Sequence, residues 1–428
     1  MDNVNSSNNK KKKIFLISDH ALAPSGVGRA GLWLAEGLIK TGKYQVFQFG
    51  GAVKHSNYNP VKVDPYGDDF RIIPVDGFGD KMKIRTALAM EKPDIMLLFT
   101  DPRFFIHIFE MEDEVHDVCP IAYWNIWDNY PTPKFNHVLY DSCDLLNCIN
   151  KVAYNSINDM GLEHKCNFIT HTLPPGLNVK LSEYEIKKHK EKIFGKERAD
   201  HKMVLWVNRN ARRKQPGDLL MGWKQFIEKT RADNNGESKA TLVMHCDPMD
   251  QEGPNLFKMI EHLNLQDSVF LSRAKLDQPQ MNVLYNCADW NIMVPSAEGF
   301  GLSVLEAKTV GVPSIVHRTG GLVYQNEDEE TGERFGIGKD TDCRCLVGSQ
   351  VVPFIEDNYL TWETIAEALH EAYTMPKDDY DKLSQRCVED AKERFNYDDM
   401  IKRWDETITE TIEKFNDPNK VRFTKETL

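Results

Sequence analysis

The chain has 428 residues, 41% of them hydrophobic, which is more than one hydrophobic core usually holds, so two domains are expected. Its formal charge of -12 argues against general nucleic-acid binding, which calls for a basic face. No apolar run approaches membrane-spanning length and no signal-peptide core is visible; among nine scattered cysteines only Cys343 and Cys345 lie close, without zinc-site spacing, so a cytoplasmic protein with reduced thiols and no structural metal is expected.

Residues 1–12 read as a disordered polar tail, and the basic run Lys10 to Lys13 as solvated charge, with weak attraction to an anionic membrane as the lesser alternative. From residue 13, apolar runs of strand length alternate with helical patterns, the signature of a parallel sheet covered on both faces. Strands are expected over 13–18, 44–49, 71–75, 94–100, 120–125, 144–150 and 167–170. The segment Thr172 to Asn178, with two prolines and a glycine, breaks this rhythm, and the charged, helical stretch 181–198 follows, so a hinge belongs there.

The alternation then restarts, with strands over 203–207, 241–246, 269–271, 290–294 and 313–317 and helices over 215–230, 256–263, 279–287 and 302–310. The fold expected is α/β: two doubly wound, Rossmann-like domains, residues 13–175 and 176–396, facing a cleft at the carboxyl ends of their strands. Residues 323–351, rich in charge and glycine, read as a long loop or insertion of open role. Helical patterns over 361–373, 377–395 and 397–415 follow; a helix over 397–416 is expected to pack back on the first domain, ahead of a polar tail, 417–428.

Three stretches carry chemistry. Ser25 to Gly31, SGVGRAG, matches a Gly-x-Gly-x-x-Gly fingerprint, yet Ser18 to Ser25 lie between the apolar run Ile14 to Ile17 and its first glycine, and the second strand ends in Gly50-Gly51 without a ribose-binding carboxylate. Gly26 and Gly28 then either let the helix approach the sheet or form a backbone wall of a cleft. In Ser296 to Lys308, a loop holding Glu298, Gly299, Phe300 and Gly301 leads into a helix beginning near Leu302, whose N-terminus is a favourable seat for phosphate oxygens. Ser303 adds a hydroxyl there, and Glu306, one turn inside, is placed to accept from sugar hydroxyls. Arg209 and Lys214, five apart across a turn after the first strand of the second domain, suit one diphosphate, although either alone reads as a solvated cation.

Glu298 and Glu306 with Gly299-Phe-Gly301 between them, followed by Gly311-Val-Pro313, resemble the Glu-x7-Glu motif of retaining glycosyltransferases of the GT-B fold, family 4. Arg209 and Lys214 resemble that family's diphosphate-binding pair, Leu173 to Asn178 its interdomain segment, and Gly26-Val-Gly28 its N-terminal glycine loop, so the resemblance spans most of the chain. It implies transfer of a sugar from a nucleotide-diphosphate sugar, UDP- or GDP-linked, to a hydroxyl acceptor, with retention and without a metal cofactor. It also implies contact of Glu298 with the donor sugar, of Glu306 with the ribose, and of the region around Arg273 with the base. The acceptor is left open between a glycan, a lipid-linked sugar, a small molecule and a protein, and so is the oligomeric state.

Where many members of the family carry a histidine near the donor sugar, this chain has Tyr123 to Tyr130. Asp128 is a candidate to accept from an acceptor hydroxyl, and Trp124 or Trp127 to stack on a sugar, against the alternative that the tryptophans are core. His171, beside the hinge, reads as structural. Two other functional readings are a sugar-nucleotide binding protein without turnover and a glycoside hydrolase using Glu298 and Glu306 as its acid and base.

Overall fold

A computed structural model describes residues 10–419, so most of both expected tails lies outside the described residues. The first domain holds an eight-stranded sheet built from β1 (Lys12–Asp19), β2 (Tyr44–Gly51), β3 (Val61–Val63), β4 (Gly67–Pro74), β5 (Ile95–Phe99), β6 (Ile121–Asn125), β7 (Leu145–Cys148) and β8 (Cys166–Phe168). Their order is β3-β4-β2-β1-β5-β6-β7-β8, and every pair is parallel except β3 with β4. The second domain adds β9 (Lys202–Val207), β10 (Ala240–His245), β11 (Val269–Ser272), β12 (Trp290–Met293), β13 (Ser314–His317) and β14 (Gly336–Lys339), in the parallel order β11-β10-β9-β12-β13-β14. Strands such as β1, with Ile14 to Ile17 all buried, are apolar on both faces because helices cover both sides of each sheet.

Strand order reverses at β1 in one sheet and at β9 in the other, and ligands in doubly wound sheets bind beyond the carboxyl ends at such points. The segment after β1 leads into the helix Gly26–Lys40; the segments after β9 and β12 carry Arg209 to Lys214 and Glu298 to Gly301. Ser25 caps the first helix by accepting from the Gly28 N–H at 3.0 Å.

The last helix, Tyr397–Asn416, crosses back to the first domain. Its Trp404 is fully buried edge-on against Trp124, the Tyr397 hydroxyl donates to the Trp33 carbonyl at 2.5 Å, and a Cβ on Gly37 would sit 2.2 Å from Ile401. Only glycine permits this helix crossing without displacing its neighbour.

Three expectations need correction. Residues 323–351 are not simply a loop: they contain β14, which completes the second sheet by pairing with β13, and β15 (Cys343–Val347), which forms an antiparallel hairpin with β16 (Ile355–Tyr359). That hairpin clasps the first domain: the Glu356 N–H donates to the Tyr130 carbonyl at 2.7 Å, Asn129 donates to the Glu356 carbonyl at 3.1 Å, and Val352 is buried in the first domain's core. Nor does the basic run lie wholly in a tail, since β1 begins at Lys12, and Lys11, Lys12 and Lys13, though partly exposed, pair with Asp69, Asp94 and Glu91. These carboxylates offset the positive charge that membrane attraction would use. Finally, Trp124 does not face a ligand; it is buried, stacked 4.2 Å from Phe99 and edge-on to His171.

Candidate active site

A cleft of about 1110 Å³ lies between the two carboxyl ends. The first domain contributes Asp19, Gly26, Arg29 and His171; the second contributes Arg209, Lys214, Arg273, Glu306 and the run Glu298 to Ser303. Gly28 sits behind this wall, where a Cβ would meet the His20 carbonyl at 2.7 Å, so its smallness serves the tight turn into the helix.

Glu298 is the centre of a buried charge cluster. Its Oε2 accepts from Lys214 Nζ, and the Arg213 guanidinium lies 3.9 Å away. Two backbone links fix this arrangement: the Ser296 N–H donates to the Arg213 carbonyl at 2.7 Å, and the Gly321 N–H donates to the Glu298 carbonyl at 2.8 Å. Burial works to raise the Glu298 carboxyl, but Lys214 and Arg213 outweigh it and hold it below its ordinary range, so it is ionised at neutral pH. Burial likewise pulls Lys214 down, against the opposing attraction of Glu298. Asp128, 4.0 Å from Arg213, lacks so close a cation, and burial raises its carboxyl to about 6.

Gly301 adopts a left-handed backbone with φ of 86°, and a Cβ there would lie 2.6 Å from Leu322, so only glycine starts the helix Leu302–Thr309 in this way. The Ser303 hydroxyl does not point to the phosphate seat expected of it but turns inward to the Met293 sulfur at 3.2 Å, because its side chain is buried under the helix. One turn on, both Glu306 oxygens are engaged: Arg29 donates to Oε1 at 2.6 Å and the Tyr285 hydroxyl to Oε2 at 2.5 Å. Arg29 also donates to Gln278 at 2.9 Å, so it bridges the cleft from the first domain.

Lys214 and Arg209 share the cleft without sharing a partner. Lys214 is buried on Glu298, whereas Arg209, its side chain 65% exposed, forms a two-pronged pair with Asp250 at 2.7 and 3.0 Å. Arg273 lines the far end, over the Phe257 ring. Trp127 is outside this cleft: its indole N–H donates to the Asn129 carbonyl at 2.8 Å, and it borders a second pocket of about 510 Å³ that also reaches Asp128. His171, enclosed by Phe99, Trp124 and Phe300, has its pKa pushed down by burial to about 3 and stays neutral.

Sequence reasoning missed Arg213, Arg29 and Asp19. Arg213 sat in plain view beside Lys214, and Arg29 inside SGVGRAG, but only long-range packing turns them toward the glutamates. Asp19, at the end of β1, accepts from Ser25 at 2.7 Å, and its pKa is raised by burial.

Residues 188–342 match the family model of glycosyl transferases group 1. Over 190 residues the chain is 25% identical to mannosylfructose-phosphate synthase of Agrobacterium fabrum, covering 43% of this chain and 40% of that protein. The chain matches about two fifths of the length of its curated relatives. The fold is similar to the crystal structure of Anabaena Alr3699/HepE in complex with UDP and glucose, with a TM-score of 0.70 at 14% identity, covering 94% of this chain and 100% of that one. Sucrose-phosphate synthase from Thermosynechococcus elongatus is similar to the same degree, with a TM-score of 0.70 at 15% identity over 94% and 99% of the two chains. The architecture is therefore GT-B.

Proposed function

We propose that this GT-B chain, whose second domain carries the glycosyl transferases group 1 segment, is a glycosyltransferase that moves a sugar from a nucleotide-diphosphate sugar to a hydroxyl acceptor with retention of configuration. The observation that carries the reading is the Glu298–Lys214–Arg213 cluster at the start of the helix Leu302–Thr309, facing the glycine turn of the other domain across the cleft. Arg209 and Lys214 stabilise the negative charge that develops on the leaving diphosphate, the work a divalent cation does elsewhere. Glu298 meets the donor sugar and Glu306 the ribose, for which Arg29 must release Glu306 Oε1. The bases fitting this reading are uracil and guanine, and UDP has the better support, being bound in the similar Anabaena structure.

Thermal unfolding with UDP, GDP, ADP and their sugar conjugates, each with and without EDTA, tests the reading. A nucleotide at 100 times its Kd adds roughly 2.7 kcal/mol of stability, visible in the midpoint. The expected result is a rise with UDP or GDP that EDTA leaves intact. A rise only with NAD or a plain oligosaccharide overturns the assignment.

A further inference from the structure

The second pocket, of about 510 Å³, is built where the β15–β16 hairpin of the second domain lies against the first domain. Its volume falls in the range of small-molecule sites. Ile126, Asp128 and Arg213 border both this pocket and the main cleft, so the two spaces meet beside Glu298. The hairpin supplies Val347, Ser349 and Asp357 to its outer wall, and the hairpin's own hydrogen bonds to Tyr130 and Asn129 hold that wall in place.

The polar groups of the pocket decide what fits. Arg103 is consumed by its neighbour, donating to Asp101 through Nε at 2.7 Å and again through Nη2. Arg213 donates to the Ala297 carbonyl at 2.9 Å and lies against Asp128 and Glu298. Each guanidinium lining the pocket lies against a carboxylate, and Asp101, Asp128 and Asp357 line it too, Asp357 accepting from the Tyr359 hydroxyl at 3.2 Å. The hydroxyl of Ser296, itself buried, has no hydrogen-bond partner. Such a lining offers acceptors and a hydroxyl to a molecule rich in O–H donors and repels a phosphate.

We propose that this hairpin-walled pocket is the acceptor subsite and that it takes a free, uncharged sugar or polyol rather than a sugar phosphate. The inference rests on the glycosyltransferase reading above. An acceptor hydroxyl at the seam beside Asp128 forms the new bond to the anomeric carbon of the donor sugar, the bond from that carbon to the diphosphate breaks, and the hydroxyl proton passes to the departing diphosphate.

The test measures nucleotide release from UDP-glucose and GDP-mannose with glucose, mannose, fructose, glycerol or the 6-phosphates of the three sugars added, in the full chain and in two variants, Asp357→Asn and Val347→Trp. A free sugar or glycerol is expected to speed release more than any sugar phosphate. Asp357→Asn is expected to raise the acceptor KM roughly tenfold, the scale of one lost hydrogen bond to a charged group, and leave the donor KM unchanged. Val347→Trp, which fills the pocket, raises it further, and the near-isosteric Asp357→Asn keeps the test decisive if the larger side chain prevents folding. Preference for a sugar phosphate, no response to any uncharged acceptor, or an acceptor KM indifferent to Asp357→Asn overturns the proposal. The absence of any midpoint shift with UDP or GDP sinks the glycosyltransferase reading itself, so the two failures are told apart.

Discussion

Two cations of the cleft, Lys214 and Arg209, come from one turn after β9 yet live in different electrostatic worlds. Lys214 and its partner Glu298 have side chains only 10% and 12% exposed, and each is the other's main compensation for lost water. Arg209 stands 65% exposed with Asp250. A buried pair that loses one member leaves an uncompensated charge, while an exposed pair is worth little and exchanges partners readily. The buried end is therefore a fixed frame, and the exposed end is a hand that can leave Asp250 for a phosphate.

Lys214→Ala breaks the frame and should have the largest effect. Turnover is expected to fall on the order of 10² to 10³-fold, as for loss of one charge-stabilising donor, and stability by about 3 to 5 kcal/mol because Glu298 is left unpaired. Kinetics and urea unfolding read the two effects, and near-normal turnover in an Arg209→Ala, Lys214→Ala double variant would remove the diphosphate assignment altogether.

Asp128 sharpens the comparison through pH. Its pKa is raised from 3.8 to about 6, so the folded protein holds that proton more tightly than the unfolded chain does. The stabilisation this gives is complete below about pH 4 and is lost as pH rises through about 6. Asp128→Asn should thus gain on the parent between pH 4 and 7, by on the order of 2 kcal/mol, in unfolding experiments run at each pH. A constant difference across that range would mean the carboxyl is not held in this way.

Arg209→Ala is the mildest. Stability should move by less than about 0.5 kcal/mol, while nucleotide affinity drops roughly tenfold by calorimetry. A stability loss as large as that of Lys214→Ala would erase the contrast between the two cations.

Most strands of both sheets were legible because buried parallel strands are continuous apolar runs, as Ile14 to Ile17 and Ile292 to Val294 are, whereas the short edge strands β3 and β14 carry no such run and were not. The loop from Glu298 to Gly301 was equally readable, since its glycines and the helix start are neighbours in sequence. What escaped is what depends on distant partners. Arg213 meets Ala297, and Arg29 meets Glu306, across separations no local pattern encodes. The β15–β16 hairpin escaped because β15, Cys343 to Val347, is exposed throughout and β16, Ile355 to Tyr359, buries only the polar Asn358, and because its anchors on Tyr130 and Asn129 belong to the other domain. Trp124 looked equally suited to a sugar face or a core, and Phe99, His171 and Trp404 around it decide for the core.

The crossing of the helix Tyr397–Asn416 also bears on how the protein is made. One continuous core joins Ile14, Trp33, Leu34 and Trp124 to Met400, Trp404, Ile408 and Ile412, whereas the core around Trp206, Trp223 and Ile365 draws only on the second domain. Domains fold as units while the ribosome delivers them from the N-terminal end. The domain translated first is thus the one completed last: its eight strands emerge early, but the apolar face beneath the closing helix stays uncovered until the whole second domain has been synthesised.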